Sequence, residues 1–128
     1  ISTEMIRRNL NIRQINKIFE KKVVGKSLRE VVEKERLKFL SGVYGPLWYR
    51  GYFYDKDFCE SKIDSVLHFY GKGHIVVGHT PNETTASLFN NKILGADAGI
   101  MYDKPGEMLI YKNGSFYKSS CTGSRIKL

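Results

Sequence analysis

Cysteine is scarce in this sequence: only Cys59 and Cys121 occur in 128 residues, and they form no Cys-x-x-Cys pair. A disulfide scaffold or a structural zinc site is therefore disfavoured, and we expect two reduced thiols in a cytoplasmic protein. No apolar run approaches the roughly 18 residues of a membrane helix, and no secretory signal pattern opens the chain. The sequence also lacks a P-loop, a dinucleotide-binding glycine fingerprint, a His-Glu-x-x-His motif and a Gly-x-Ser-x-Gly motif, which removes the nucleotide-binding and hydrolase families that use them.

Positive charge is abundant by contrast. The formal net charge is +8, and residues 1–40 hold 11 lysines and arginines against five acidic residues. A basic helical segment of this kind could meet nucleic acid or an anionic surface. A solvated helix face explains the same pattern, and the sequence has no zinc-finger spacing, RNA-binding signature or basic zipper. Nucleic acid is therefore the disfavoured partner, and a membrane is not expected.

A chain of this length suits one domain. Apolar spacing predicts three helices. The first ends near Gly25, and the second runs from a Ser27–Glu30 capping box to Gly42. The third runs from an Asp57–Glu60 cap pair to Tyr70, and Gly71 ends it. Short apolar runs predict strands at 74–77, 85–89, 93–98, 107–111 and 115–117, with a hairpin turn at Asn113-Gly114. Helices followed by strands predict an α/β fold in a single domain, with a helical segment at 1–42 and, at 43–128, a segment that contains the candidate site residues and a β-rich C-terminus.

His79 is the first candidate site residue, because it follows the strand at 74–77 through Gly78. A strand can aim an imidazole rigidly, a glycine lets the backbone turn tightly beside it, and histidine is a common transition-metal ligand. The carboxyl end of a strand in an open α/β sheet is also where ligands bind. A lone loop histidine is nevertheless more often a surface residue without a function.

Arg50 and Asp97 are the other two candidates. Arg50 is the one charge in the aromatic segment 43–54, where a guanidinium can hold a phosphate or simply stack on Trp48. Asp97 lies among small residues after a predicted strand, where a carboxylate can orient a histidine or turn a loop. The sequence leaves both alternatives open for each residue.

Three segments together resemble the C-terminal half of the calcineurin-like metallophosphoesterases, in the bacterial branch similar to serine/threonine phosphatases. They are Gly45-Pro46-Leu47-Trp48-Tyr49-Arg50, Gly78-His79-Thr80-Pro81 and Ala96-Asp97-Ala98-Gly99. The resemblance implies a layered sandwich in which helices flank mixed sheets. It also implies two divalent metal ions, such as Mn, Fe or Zn, whose activated water attacks a phosphomonoester, for example on a phosphorylated protein. It makes His79 a metal ligand, Arg50 a phosphate-binding residue and Asp97 a supporting carboxylate.

The motifs that supply most metal ligands in that family do not occur here. We therefore expect a C-terminal fragment with an incomplete metal site, inactive alone, whose partners are a phosphorylated substrate and the missing N-terminal half of the domain. A basic nucleic-acid-binding module and a truncated, non-catalytic product are the competing interpretations.

Overall fold

Helices occupy the first part of the chain and strands the second. The computed structural model describes residues 3–32 and 37–128. The chain divides into two compact units, 1–71 and 72–128. The helices of the first unit are α1 (Thr3–Arg7), α2 (Ile12–Lys22), α3 (Leu28–Val32), α4 (Lys38–Ser41), α5 (Gly51–Tyr54) and α6 (Glu60–Tyr70).

Capping side chains set the starts of two helices. At α2, Asn11 Oδ1 accepts a hydrogen bond from the Gln14 backbone N–H at 2.9 Å, and Gln14 Oε1 accepts one from the Asn11 N–H at 2.9 Å. The predicted box at α3 is also present, with Ser27 N–H donating to Glu30 Oε2 at 2.8 Å. Each box satisfies backbone donors that a helix start leaves unpaired. The predicted continuation of the second helix through 33–36 lies outside the described residues.

The core of the first unit comes from the apolar faces of several short helices. Met5, Ile15 and Leu40 are buried together, with Leu10, Ile18, Phe19, Phe39 and Tyr70 packed against them. The aromatic segment 43–54 is divided between buried and exposed side chains. Tyr52 is buried with its ring edge-on to Tyr49 and Phe58, whereas Tyr44 and Tyr54 are exposed.

Helix α6 begins three residues later than the sequence predicts. The predicted cap, Asp57, instead donates its backbone N–H to Asp55 Oδ1 at 3.0 Å in a turn, and Cys59 occupies the N-cap position. The helix ends as predicted at Gly71, whose φ of 59° is a left-handed conformation that glycine adopts without steric cost.

The second unit contains two three-stranded sheets. In the first sheet β3 (Ile93–Gly95) lies between β1 (Ile75–Val77), which is parallel to it, and β2 (Ala86–Leu88), which is antiparallel. In the second, β5 (Ser115–Ser120) lies between β4 (Glu107–Lys112) and β6 (Arg125–Lys127) in an antiparallel arrangement. The β4–β5 turn is the predicted one, with positive φ at Asn113 and Gly114. Strand β6 was not predicted.

Strand β3 forms the centre of the second unit. Ile93 and Leu94 are fully buried, and Ala98 is nearly so. The two sheets are linked where the Thr85 N–H donates to Glu107 Oε2 at 2.7 Å. The α/β class is therefore confirmed. No helix in the described part of the chain has the length and hydrophobicity needed to cross a membrane.

Candidate functional site

The carboxyl ends of β1 and β3 form the candidate site. The two strands are parallel, and Val77 pairs with Gly95. His79 and Asp97 each lie two residues beyond that pair, on segments that leave the same edge of the sheet. The Ala96 N–H donates to the Val77 carbonyl at 2.8 Å, so the pairing continues up to the point where the segments diverge. The structure thus brings the sequence-predicted His79 and Asp97 segments side by side.

The turn after β1 is made by the histidine and not by the glycine. His79 has φ of 58°, in the left-handed region that residues with a Cβ seldom adopt. Gly78 has no positive φ, and a Cβ added there would meet nothing within 4 Å. The predicted need for glycine at position 78 is therefore wrong. With this left-handed backbone, the His79 side chain is exposed to solvent while the next side chain, Thr80, is buried.

Asn82 joins the two segments, and sequence reasoning missed this role. Its backbone N–H donates to the Asp97 carbonyl at 3.0 Å, and its side-chain Nδ2 donates to the Thr80 carbonyl at 2.8 Å. Asn82 thus holds the segment that contains His79 against the one that contains Asp97. The available signal was an asparagine just after a strand and a proline, a common turn position.

Asp97 stabilises its own loop. Its Oδ1 accepts a hydrogen bond from the Gly99 N–H at 3.0 Å, which is the loop-turning role that the sequence left open. Gly99 has φ of 70°, and a Cβ there would lie 2.8 Å from the Asn82 carbonyl oxygen. Only glycine allows this close approach, so Gly99 is the glycine that the site geometry requires.

Arg50 belongs to the first unit, where it caps α5. Its guanidinium carbon lies 5.9 Å from the centre of the Trp48 ring, at the outer limit of a cation–π contact. One guanidinium nitrogen also lies 3.4 Å from the carbonyl oxygens of Leu47 and Tyr49, which is long for a hydrogen bond. The stacked alternative is therefore present in a weak form, and the Arg50 side chain is half-buried.

Cys59, at the start of α6, is the thiol with altered acidity. A hydrogen bond with the Ser61 hydroxyl, 3.1 Å away, lowers the pKa of Cys59, as does a backbone hydrogen bond involving Lys62. Cys59 and Cys121 are both free and exposed, as predicted for reduced thiols.

No protein-family model matches the sequence, and no curated protein matches it either. Solved structures do. The chain is similar to protein-tyrosine phosphatases. A cold-active protein-tyrosine phosphatase of a psychrophilic Shewanella species is 36% identical, with a TM-score of 0.88. A second structure of a cold-active protein-tyrosine phosphatase is 35% identical, with a TM-score of 0.87. The matches cover 100% of this chain but only 38% and 37% of those chains, so the chain spans less than half the length of these relatives.

This similarity corrects the family expectation. The prediction of a calcineurin-like metallophosphoesterase, with its layered sandwich and its two-metal reaction, is replaced by a similarity to phosphatases described as acting on protein tyrosine. The physical reason for the error is that the three short motifs specify local backbone features: two lie at strand ends, and the one at 45–50 lies in turns before α5. Such features position a side chain without determining the chemistry performed there.

The prediction of two divalent metal ions is corrected with it. Within 3–32 and 37–128, no three His, Cys, Asp or Glu side chains form a group that could hold a metal ion. The role of His79 as a metal ligand depended on those ions and is withdrawn with them. Its position at the carboxyl edge of the sheet does not depend on them.

Proposed function

We propose that this chain is part of a phosphatase that hydrolyses phosphomonoesters on protein tyrosine. The observation that carries the proposal is the similarity over the whole chain to cold-active protein-tyrosine phosphatases, at 36% identity and a TM-score of 0.88. Identity at this level, together with close superposition, supports a shared class of reaction. The phosphoester hydrolase expected from the sequence is retained in this form.

The site geometry supports a role for His79 at the reacting phosphoryl group. Its imidazole is exposed on a segment that the parallel pairing and Asn82 both hold in place. An imidazole can donate a hydrogen bond or transfer a proton near neutral pH, which suits a phosphoester leaving group. Asp97 supports it as a positioning residue, because its carboxylate fixes the loop that lies beside the histidine segment.

Arg50 is proposed to bind the phosphate. A guanidinium matches the geometry of phosphate oxygens and stays charged at all working pH values. Its guanidinium lies beside the Trp48 ring and the Tyr49 carbonyl.

The remaining groups of the active site are proposed to come from sequence outside these 128 residues, since the relatives are more than twice as long. A phosphorylated protein is the proposed partner. The two free, exposed thiols support a reducing compartment, in keeping with a cytoplasmic location.

The experiment compares four variants of the full-length protein on p-nitrophenyl phosphate and on a phosphotyrosyl peptide. His79→Asn is preferred to alanine because asparagine tolerates the left-handed backbone. We expect kcat to fall about 100-fold or more in His79→Asn, from loss of proton transfer. We expect kcat to fall about 100-fold in Arg50→Ala, because a charged contact to the phosphoryl group is removed. In Asp97→Asn we expect a smaller fall in kcat, because the asparagine side-chain oxygen can still accept the hydrogen bond from the Gly99 N–H.

His68→Asn is the matched control, since His68 is an exposed histidine on α6 outside the candidate site. Its kinetics should equal those of the parent protein. Full activity in His79→Asn would remove the proposed role of His79. A full-length protein that hydrolyses neither substrate would overturn the proposed function itself.

A further inference from the structure

Three consecutive large apolar residues are exposed beside the candidate site. Ile100, Met101 and Tyr102 form a single 3-10 turn, and their exposed fractions are 67%, 73% and 61%. Single exposed apolar residues are ordinary, but a contiguous group marks a contact surface. We call these three residues the apolar turn.

The apolar turn is joined directly to the site. It follows Gly99, whose N–H donates to Asp97 Oδ1 and where an added Cβ would lie 2.8 Å from the Asn82 carbonyl oxygen. The turn therefore starts three residues after Asp97, from the loop that lies against the His79 segment. A ligand held at this edge of the sheet would extend past the turn if it were larger than a phosphate group.

Two hydrogen bonds fix the backbone of the apolar turn. Tyr102 N–H donates to the Gly99 carbonyl at 2.9 Å, and Asp103 N–H donates to the Ile100 carbonyl at 3.1 Å. Gly99 and Asp103 both have positive φ, so the chain reverses on each side of the turn. A Cβ on Gly106 would lie 2.8 Å from Ile100 Cγ1, so the Ile100 side chain rests on that glycine. The backbone of such a fixed turn loses little additional entropy when its side chains bind a ligand.

We propose that the apolar turn binds the polypeptide that surrounds the phosphotyrosine of a protein substrate, and that it favours apolar residues next to the phosphotyrosine. The inference rests on the proposed function. Continuity with the site favours a substrate as the occupant. A second copy of the chain is disfavoured because three side chains bury far less than the roughly 1,200 Å² of a stable interface.

The experiment uses two matched pairs of variants in the full-length protein. Met101→Ser and Tyr102→Ser change the apolar turn, while Met108→Ser and Tyr111→Ser change equally exposed residues on β4, at 65% and 64%. Each variant is assayed with a phosphotyrosyl peptide that has leucine on both sides of the phosphotyrosine, and with p-nitrophenyl phosphate. For Tyr102→Ser we expect kcat/KM on the peptide to fall about tenfold, through KM, as for a typical aromatic contact residue. Kinetics on p-nitrophenyl phosphate should not change, and the β4 variants should match the parent on both substrates.

Equal losses on both substrates, or no loss on the peptide, would overturn the inference while leaving the proposed function intact. A fall in Tm for Tyr102→Ser without one for Tyr111→Ser would show that other sequence of the full-length protein covers the turn, which also overturns it. A parent protein inactive on both substrates would overturn the proposed function and this inference together.

Discussion

The two compact units are specified in different ways. In the first, two helix starts are set by side chains three residues apart, at Asn11 with Gln14 and at Ser27 with Glu30. In the second, the site exists only because Val77 pairs with Gly95, 18 positions away in the chain. Local interactions set these helix starts, and pairing between distant strands sets the candidate site. The candidate residues His79 and Asp97 both depend on the second kind of order.

The acidic residues of the two units also differ in how far along the chain their partners lie. Glu4 pairs with Arg7 and Arg8 within three or four residues, on an exposed surface. Glu107, on β4, contacts two other segments. Its carboxylate accepts a hydrogen bond from the Thr85 N–H and lies 3.6 Å from the Lys118 ammonium group, and little of the Glu107 and Lys118 side chains is exposed. An acidic residue supports a single helix in the first unit and links two sheets in the second.

The largest expected effects come from the two cores. Leu40 in the first unit and Leu94 in the second are fully buried, and truncating either to alanine should lower the free energy of unfolding by about 2–5 kcal/mol. Leu94→Ala should also remove amide hydrogen-exchange protection at Ala96, whose N–H bonds Val77, whereas Leu40→Ala should leave that protection in place. Urea unfolding and hydrogen exchange measure both effects, with the exposed Met108→Ala as the control. Loss of Ala96 protection in Leu40→Ala would mean that the units unfold together.

An intermediate effect is expected at Gly99. Gly99→Ala combines a left-handed backbone with a Cβ 2.8 Å from the Asn82 carbonyl, so it should destabilise the protein by about 1–3 kcal/mol and move the two site segments apart. Gly114→Ala has a similar φ of 76° but meets no atom within 4 Å, and should cost about 1 kcal/mol. The difference between their unfolding free energies isolates the close approach. Equal costs would show that the Gly99 backbone conformation alone matters.

The smallest effect is expected at Glu4. Hydrogen bonds from Arg7 and Arg8 lower the pKa of Glu4 from 4.5 to about 2. Because the folded pKa lies below the ordinary value, the ion pairs stabilise the folded state above pH 4.5, and this stabilisation is lost as the pH falls toward 2. The unfolding midpoints of the parent and Glu4→Gln should therefore differ slightly at neutral pH and converge near pH 2.

Salt provides the check on this last effect, since exposed ion pairs are screened when the Debye length falls to about 3 Å at 1 M salt. The difference between parent and Glu4→Gln should shrink accordingly. A difference that persists at pH 2 or in high salt would indicate that Glu4 stabilises the helix by something other than its charge.

Much of the helical part and the hairpins could be predicted from sequence because their signals are local. Ser27 and Glu30 form their capping box, and Asn113-Gly114 makes its turn, since few residues other than asparagine and glycine accept positive φ. The start of α6 was misplaced because the Asp57–Glu60 spacing equally permits a turn closed on Asp55. The left-handed backbone of His79 could not be predicted, because it is imposed by the burial of Thr80 and by the bonds that Asn82 makes across the site.

By itself, the sequence determined the α/β class, the start of α3, the end of α6 and the presence of a histidine and a carboxylate just after strands. Those features follow from side-chain periodicity, capping and turn chemistry, which act over a few residues. Only the tertiary structure decided that these two segments leave the same edge of one sheet, that Asn82 joins them and that an apolar turn lies beside them. Such arrangements arise from pairing between distant strands, and short motifs do not encode that pairing.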